Sequence, residues 1–262
     1  MGAKAAMRTL VKAAAATAPA PDGTVVLIYH RVGPGGGEVT LPKATFAEQM
    51  AELADGGGLG TLDDLLEPDG RRPRVVVTFD DGTADIAEHA LPILVEHRAP
   101  MLLYVATAFV EEKREFPGGG TPVSWAALRD CVATGLVTIG SHTHTHALLD
   151  RAAPAVVVDE LERSSRLIED RLGISPTHFA YPKAVPGSSA ADREVRQRFR
   201  TAALAGTRPN RPGRTDLHRL ARSPIQRSDG MRYFRQKVAG RMRLEDDLRR
   251  AANRVRYLRA TT

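Results

Sequence analysis

The segment TFDDG sets two adjacent carboxylates, Asp80 and Asp81, at the end of an apolar run, just before the turn residue Gly82. Carboxylates this close repel one another unless something neutralises one of them. A divalent metal does so and leaves the other ionised as a base. A strand end followed by an ordinary Asp-Gly turn is the plain structural alternative. A second segment, GSHTHTHALL, places His142, His144 and His146 within five positions, three of the chain's eight histidines. Neutral imidazoles are preferred ligands of zinc and related metals such as cobalt and nickel; a histidine-rich surface loop is the alternative here. Side chains two apart on an extended segment share a face, so any pair of the three could ligate. Two histidines and one aspartate supply three protein ligands and leave a fourth position for water, as catalytic zinc sites do. A closed structural site usually draws on cysteines, and this chain has one.

Both segments follow strand-like runs, so the elements that position them come next. Short apolar, β-rich runs alternate with longer stretches of helical period, the pattern of parallel strands with helical crossovers. The strands are expected at 25–30, 74–79, 101–106, 136–140 and 177–182, with weaker runs at 201–205 and 220–225. Val75, Val76 and Val77 run consecutively, as in a strand buried on both faces. Between the strands, ATFAEQMAELAD, DIAEHALPILVEH, WAALRDCVAT, PAVVVDELERSSRLIEDRL and ADREVRQRFR read as helices. Pro92 inside the second of these predicts a kink or a late start. Parallel barrel strands deliver their C-terminal ends to one rim, which would bring TFDDG and the histidines together.

The 262 residues suit one large α/β domain, with 42% hydrophobic and 26% charged residues. The boundaries read as an N-terminal segment and linker over 1–23, the main domain over 24–240, and a basic tail over 241–262, with helical character beginning near Asp229. The first segment is alanine-rich and interrupted by Lys12, too weak for a secretory signal, which makes a cytoplasmic location the expectation. The net charge of +6 comes largely from arginines in the last third. Such a tail is expected to be a solvated helical surface with weak affinity for anionic membranes or polymers. With aromatics at 5% and no nucleic-acid module signature, a nucleic-acid partner is not expected. Cys131 reads as a small buried residue, Trp125 as a core anchor ahead of a sugar platform, and His89, His97 and His178 as packing or surface residues.

TFDDG followed some sixty residues later by SHTHTH resembles the NodB-homology polysaccharide deacetylases of carbohydrate esterase family four. LIYHRV near the start, FAYP at 179–182, and RTAAL then LARSPI are similar to the branch that contains poly-N-acetylglucosamine deacetylases. The resemblance covers roughly residues 24–240. With the strand and helix alternation it implies a distorted (β/α)7-type barrel, and by itself a metal-dependent hydrolase acting on an N-acetylated carbohydrate, zinc being the leading ion. It further implies Asp80 as the base, Asp81, His142 and His146 as metal ligands, His144 as a spacer, and His30 as the general acid. Tyr181, Pro182 and Lys183 would lie at the substrate, with Tyr181 and Pro182 shaping the pocket and a backbone N–H nearby receiving the oxyanion.

The chain departs from the family pattern in places. Ala180 stands where many members carry an arginine that braces the catalytic aspartate, and Lys183 and Ala184 replace an aromatic residue and a glycine. A later Leu-x-x-His element is not evident, which raises the importance of His30, since His218 is isolated. Two rival readings stand beside the polysaccharide one. The first keeps the hydrolytic site but acts on a glycolipid headgroup, a small acetylated metabolite or a non-sugar amide. The second is a catalytically inactive carbohydrate-binding relative, against which the retained aspartates and histidines argue.

Overall fold

Runs of Val, Leu, Ile and Ala bounded by Gly, Pro and Asp make short extended segments. In the computed structural model, which describes residues 22–67 and 72–242, seven of them form parallel strands. They are β1 (Val25–Tyr29), β2 (Val75–Phe79), β3 (Met101–Val105), β4 (Val137–Ser141), β5 (His178–Ala180), β6 (Thr201–Ala205) and β7 (Leu220–Pro224). Each strand pairs with the next, and β7 pairs back with β1 through Val26 opposite Arg222, so the sheet closes into the expected seven-stranded α/β barrel. All seven expected strands are present. The largest boundary difference is at β5, where Pro182 turns the chain into a single 3-10 turn. The β4–β5 seam is the thinnest, registered by Ser141 opposite Phe179.

Alternation along each strand sorts two layers of core. Val25, Leu27, Tyr29, Val75, Val77 and Phe79 face outward and pack with Phe46, Met50 and Leu94 from the surrounding helices. Val26, Val76, Leu102, Tyr104, Ala180, Ala203 and Leu220 share the other cluster, inside the barrel. The helices are α1 (Lys43–Asp55), α2 (Leu62–Leu66), α3 (Leu91–Glu96), α4 (Thr107–Glu112), α5 (Trp125–Ala133), α6 (Pro154–Leu172), α7 (Ser189–Arg198) and α8 (Gly230–Val238). Leu62 and Leu65 of α2 join the inner cluster. Because the short strand Leu59–Gly60 leads into α2 and pairs with Val75 and Val76, α2 closes the N-terminal mouth of the barrel. It starts on a capping box: Thr61 Oγ1 accepts from the Asp64 N–H at 3.1 Å, and the Asp64 carboxylate accepts from the Thr61 N–H at 2.7 Å.

Pro92 acts as expected of a residue without an N–H. A π-helical turn, Ile86–Ala90, precedes α3, and Pro92 falls in the first turn of α3, where its missing donor costs nothing. The region after Asp229 is helical, as expected, and packs on the barrel: α8 buries Phe234 in the main core, and Lys237 forms a buried ion pair with Asp229. The amphipathic period of MRYFRQKV therefore serves the barrel. The N-terminal segment over 1–21 and the basic tail from 243 lie outside the described residues. Among the described residues no helix is long and apolar enough to cross a membrane.

Candidate metal centre

Asp80, Asp81 and His142 directly follow their strands, and His30 follows β1, so all four reach the C-terminal rim of the barrel. Asp80 keeps the inward phase of Val76 and Thr78. The chain then reverses sharply: Asp81 takes a φ of 76° and Gly82 a φ of 95°, with the Gly82 N–H donating to the Asp80 carbonyl at 3.0 Å. A positive φ is uncommon for a residue other than glycine, and at a functional rim it is a device that aims a side chain. Here it separates two neighbouring carboxylates, sending Asp80 into the barrel and leaving Asp81 partly exposed.

The histidine segment turns in the same manner, with Thr143 at φ 64° and His146 at φ 62°. His142 points inward, its Nδ1–H donating to the Ala180 carbonyl at 2.7 Å, which leaves Nε2 as the free ring nitrogen. The single registered pair between β4 and β5 leaves that carbonyl available. His144 turns away, and its Nδ1 bonds Thr107 Oγ1 at 2.9 Å. Thr145 is held by the buried Glu160 of α6, which accepts from its N–H at 2.8 Å and its hydroxyl at 2.6 Å. That clamp returns the loop so that His146 stands beside His142, ring centroids 4.9 Å apart.

One ligand atom from each of Asp81, His142 and His146 lies within 4.8 Å of the others. Asp81 Oδ1 is 3.7 Å from His142 Nε2 and 3.5 Å from His146 Nε2. A tetrahedral zinc site with bonds of about 2.1 Å separates its ligand atoms by about 3.4 Å, so these residues fit a small divalent ion. Burial and the neighbouring His142 push the His146 imidazole down to about 4, against the upward pull of Asp81 and Asp80. It is therefore neutral and ligand-ready at neutral pH.

Asp80 Oδ2 lies 3.9 Å from His142 Nε2. Burial is the largest single influence and pushes its carboxyl up, but the charge and hydrogen bonds of Arg222, together with His142 and His30, outweigh it and bring the carboxyl down to about 2. Arg222 is fully buried in β7, in phase with Leu220, and grips both oxygens of Asp80, Nη1 to Oδ1 at 2.5 Å and Nη2 to Oδ2 at 2.8 Å. Nη1 also reaches Thr78 Oγ1 at 3.1 Å, and the guanidinium carbon lies 4.8 Å from the centroid of Tyr104. Gly140 leaves room for this stack, since a Cβ there would come within 2.7 Å of the Tyr104 ring. The brace absent at Ala180 on β5 is thus supplied from β7, two strands further round the barrel. The signal in the sequence is an arginine in the inward phase of LARSP, a buried charge that requires a partner.

The FAYP turn differs in part from expectation. Ala180 faces inward, so alternation turns Tyr181 outward. Its ring is buried with Phe179, Leu149 and Val157, and its hydroxyl donates to Asp192 at 3.1 Å, so the Tyr181 side chain does not line the rim. The backbone of the turn remains at the site. The Tyr181 N–H donates to Ala203, Pro182 has no N–H, and the N–H groups of Ala184 and Val185 donate to Tyr181 and Pro182. That leaves the Lys183 N–H, on a residue with φ of 52°, as the donor of this turn not engaged by the backbone. Trp125 donates to Glu111 at 2.7 Å at the start of α5, the expected anchor. His178 is buried against Thr201 and Asp63 near α2, away from the rim.

The sequence profile of the family described as polysaccharide deacetylase matches residues 67–203, just over half of the chain. Among curated proteins, the chitooligosaccharide deacetylase of Bradyrhizobium sp. (strain ANU 289) is 32% identical over 117 residues, 43% of this chain and 42% of that protein. The chain spans about half the length of the curated relatives it matches, 57% and 42%. Among solved structures, IcaB from Ammonifex degensii superposes with a TM-score of 0.72 at 26% identity, covering 86% of this chain and all of that one. The Streptococcus pyogenes deacetylase PplD, solved in complex with acetate, shares the fold with a TM-score of 0.71 at 19% identity, over 83% and 99% of the two chains.

Proposed function

The chain belongs to the polysaccharide deacetylase family, and from that premise we propose that it hydrolyses the N-acetyl group of an N-acetylated sugar or polysaccharide, releasing acetate and a free amine. The observation that carries this reading is the pairing of an ionised, arginine-braced Asp80 with a three-ligand group of Asp81, His142 and His146. Those three would hold a divalent ion, with zinc first and cobalt or nickel as substitutes. When bound, the ion supplies Lewis acidity toward the acetamide carbonyl and acidifies a water.

The protein groups divide the remaining work. Asp80 is kept anionic by Arg222 and takes the proton of the attacking water. The Lys183 N–H donates to the carbonyl oxygen as negative charge develops on it. His30 stands level with Asp80 on the neighbouring strand, as Tyr29 pairs with Phe79 and the Tyr29 carbonyl accepts from the Asp80 N–H at 3.1 Å. It donates a proton to the departing nitrogen as the carbon–nitrogen bond breaks. Pro182 and the Lys183 side chain border the substrate, while Tyr181 fixes the turn from behind through Asp192.

The test is acetate release from acetylated chitin oligomers, poly-β-1,6-N-acetylglucosamine, peptidoglycan and acetylated small amines, each with added zinc, cobalt or nickel. Release from at least one glycan and not from simple amines is expected. A metal-loaded protein that releases acetate from none of the glycans would overturn the reading.

A further inference from the structure

A large cavity lies at the opposite end of the barrel from the metal centre. It measures about 620 Å³ and is lined by Asp22, Arg72, Pro73, Arg74, Arg211 and Arg214 among others. Arg74 immediately precedes β2, so about six residues of strand, roughly 20 Å, separate it from Asp80. The cavity is independent of the hydrolytic site.

Its walls are built from anchored backbone. Thr24 and Asn210 exchange backbone bonds at 2.8 Å each, and Thr24 Oγ1 donates to the Pro73 carbonyl at 2.6 Å. The buried Asn210 amide donates to the Ala221 carbonyl at 2.8 Å, and the Arg211 N–H donates to Thr215 Oγ1 at 2.8 Å. Arg211 Nε donates to the Asp22 carbonyl at 3.1 Å.

The charges are unbalanced. Several other surface arginines are paired, Arg171 with Glu111, Arg196 with Asp192 and Asp216, and Arg235 with Glu52. Arg72, Arg74 and Arg214 have no carboxylate partner among the described residues, although they line one cavity with Arg211 and a single acid, Asp22. Guanidinium groups gathered in this way repel one another until an anion joins them, and their planar forks match phosphate oxygens. The volume falls in the range of small-molecule sites and exceeds what a lone inorganic phosphate fills.

We propose that this cleft binds a small molecule bearing a diphosphate, held by Arg72, Arg74, Arg211 and Arg214. The probe is inorganic pyrophosphate, titrated calorimetrically into the full-length chain carrying His142→Ala and stripped of metal, so that chelation at the rim contributes nothing. One saturable site is expected, with sulfate binding at least about tenfold more weakly. Arg74→Gln with Arg214→Gln should weaken pyrophosphate by about tenfold or more, the scale of a lost charge-assisted contact. Both side chains are exposed and unpaired, so melting temperature should hold, as should acetate release when the double substitution is made in the wild-type background. Absence of saturable binding, equal affinity for sulfate, or pyrophosphate affinity unchanged in the double variant would each overturn the proposal.

Discussion

Replacing Arg222 with methionine leaves the Asp80 carboxylate buried without its partner. Asp80 is 5% exposed and Arg222 fully buried, so water cannot take the place of the lost guanidinium. In the native protein the Asp80 carboxyl is brought from its ordinary 3.8 to about 2. Nearly two units correspond to on the order of 2 kcal/mol of stability. Because the folded value lies below the unfolded one, this contribution is fully present above about pH 4 and is lost as pH falls toward 2. Removing one member of a buried pair costs more than the pair contributes, about 3–5 kcal/mol, since the desolvated charge remains. The Asp80 carboxyl should then rise, because burial is the largest influence on it and only His142 and His30 would still oppose it. Urea denaturation of chelator-treated protein is the assay. Arg222→Met should lose about 3–5 kcal/mol at pH 7 and show a smaller deficit near pH 3, where the native pair is also weakening. Arg222→Lys, which keeps charge but not the two-pronged geometry, should fall between. Equal stability of Arg222→Met and wild type at pH 7, with the same pH dependence, would refute the brace.

Three further outcomes are expected at the rim. His142→Ala and Asp81→Ala should each lose bound metal by elemental analysis while His144→Ala retains it; the reverse pattern would exchange the ligand assignments. Glu160→Gln should weaken metal binding by about 10–100-fold, the usual scale for outer support of a ligand, and an unchanged affinity would show that the Thr145 clamp is dispensable. His30→Ala should lower turnover, spare metal content and flatten the basic limb of the rate profile, whereas wild-type turnover with an unchanged basic limb would remove His30 from the chemistry.

The barrel was legible because its strands are short, apolar and separated by helices of clear period. Val75, Val76 and Val77 signalled burial on both faces, and both faces are indeed covered. Strand ends sharing a rim brought the aspartate pair and the histidines together, and the family resemblance implied Asp81, His142 and His146 as the ligands. Periodicity could not choose between the histidines. That choice rests on Thr143 and His146 adopting positive φ and on Glu160 anchoring Thr145 from fifteen residues away, features set by tertiary packing. Arg222 escaped notice because its partner lies 142 residues away and meets it only when the barrel closes. Tyr181 misled because a motif gives position but not phase, and alternation from Ala180 sends its ring outward.

The most direct test of the central claim is Asp80→Asn, with metal content and acetate release measured on the same preparation. Asn preserves the size of the side chain and removes the base without touching Asp81, His142 or His146. The metal should remain while acetate release falls by about 100-fold or more. Metal-loaded Asp80→Asn releasing acetate at the wild-type rate would contradict the account.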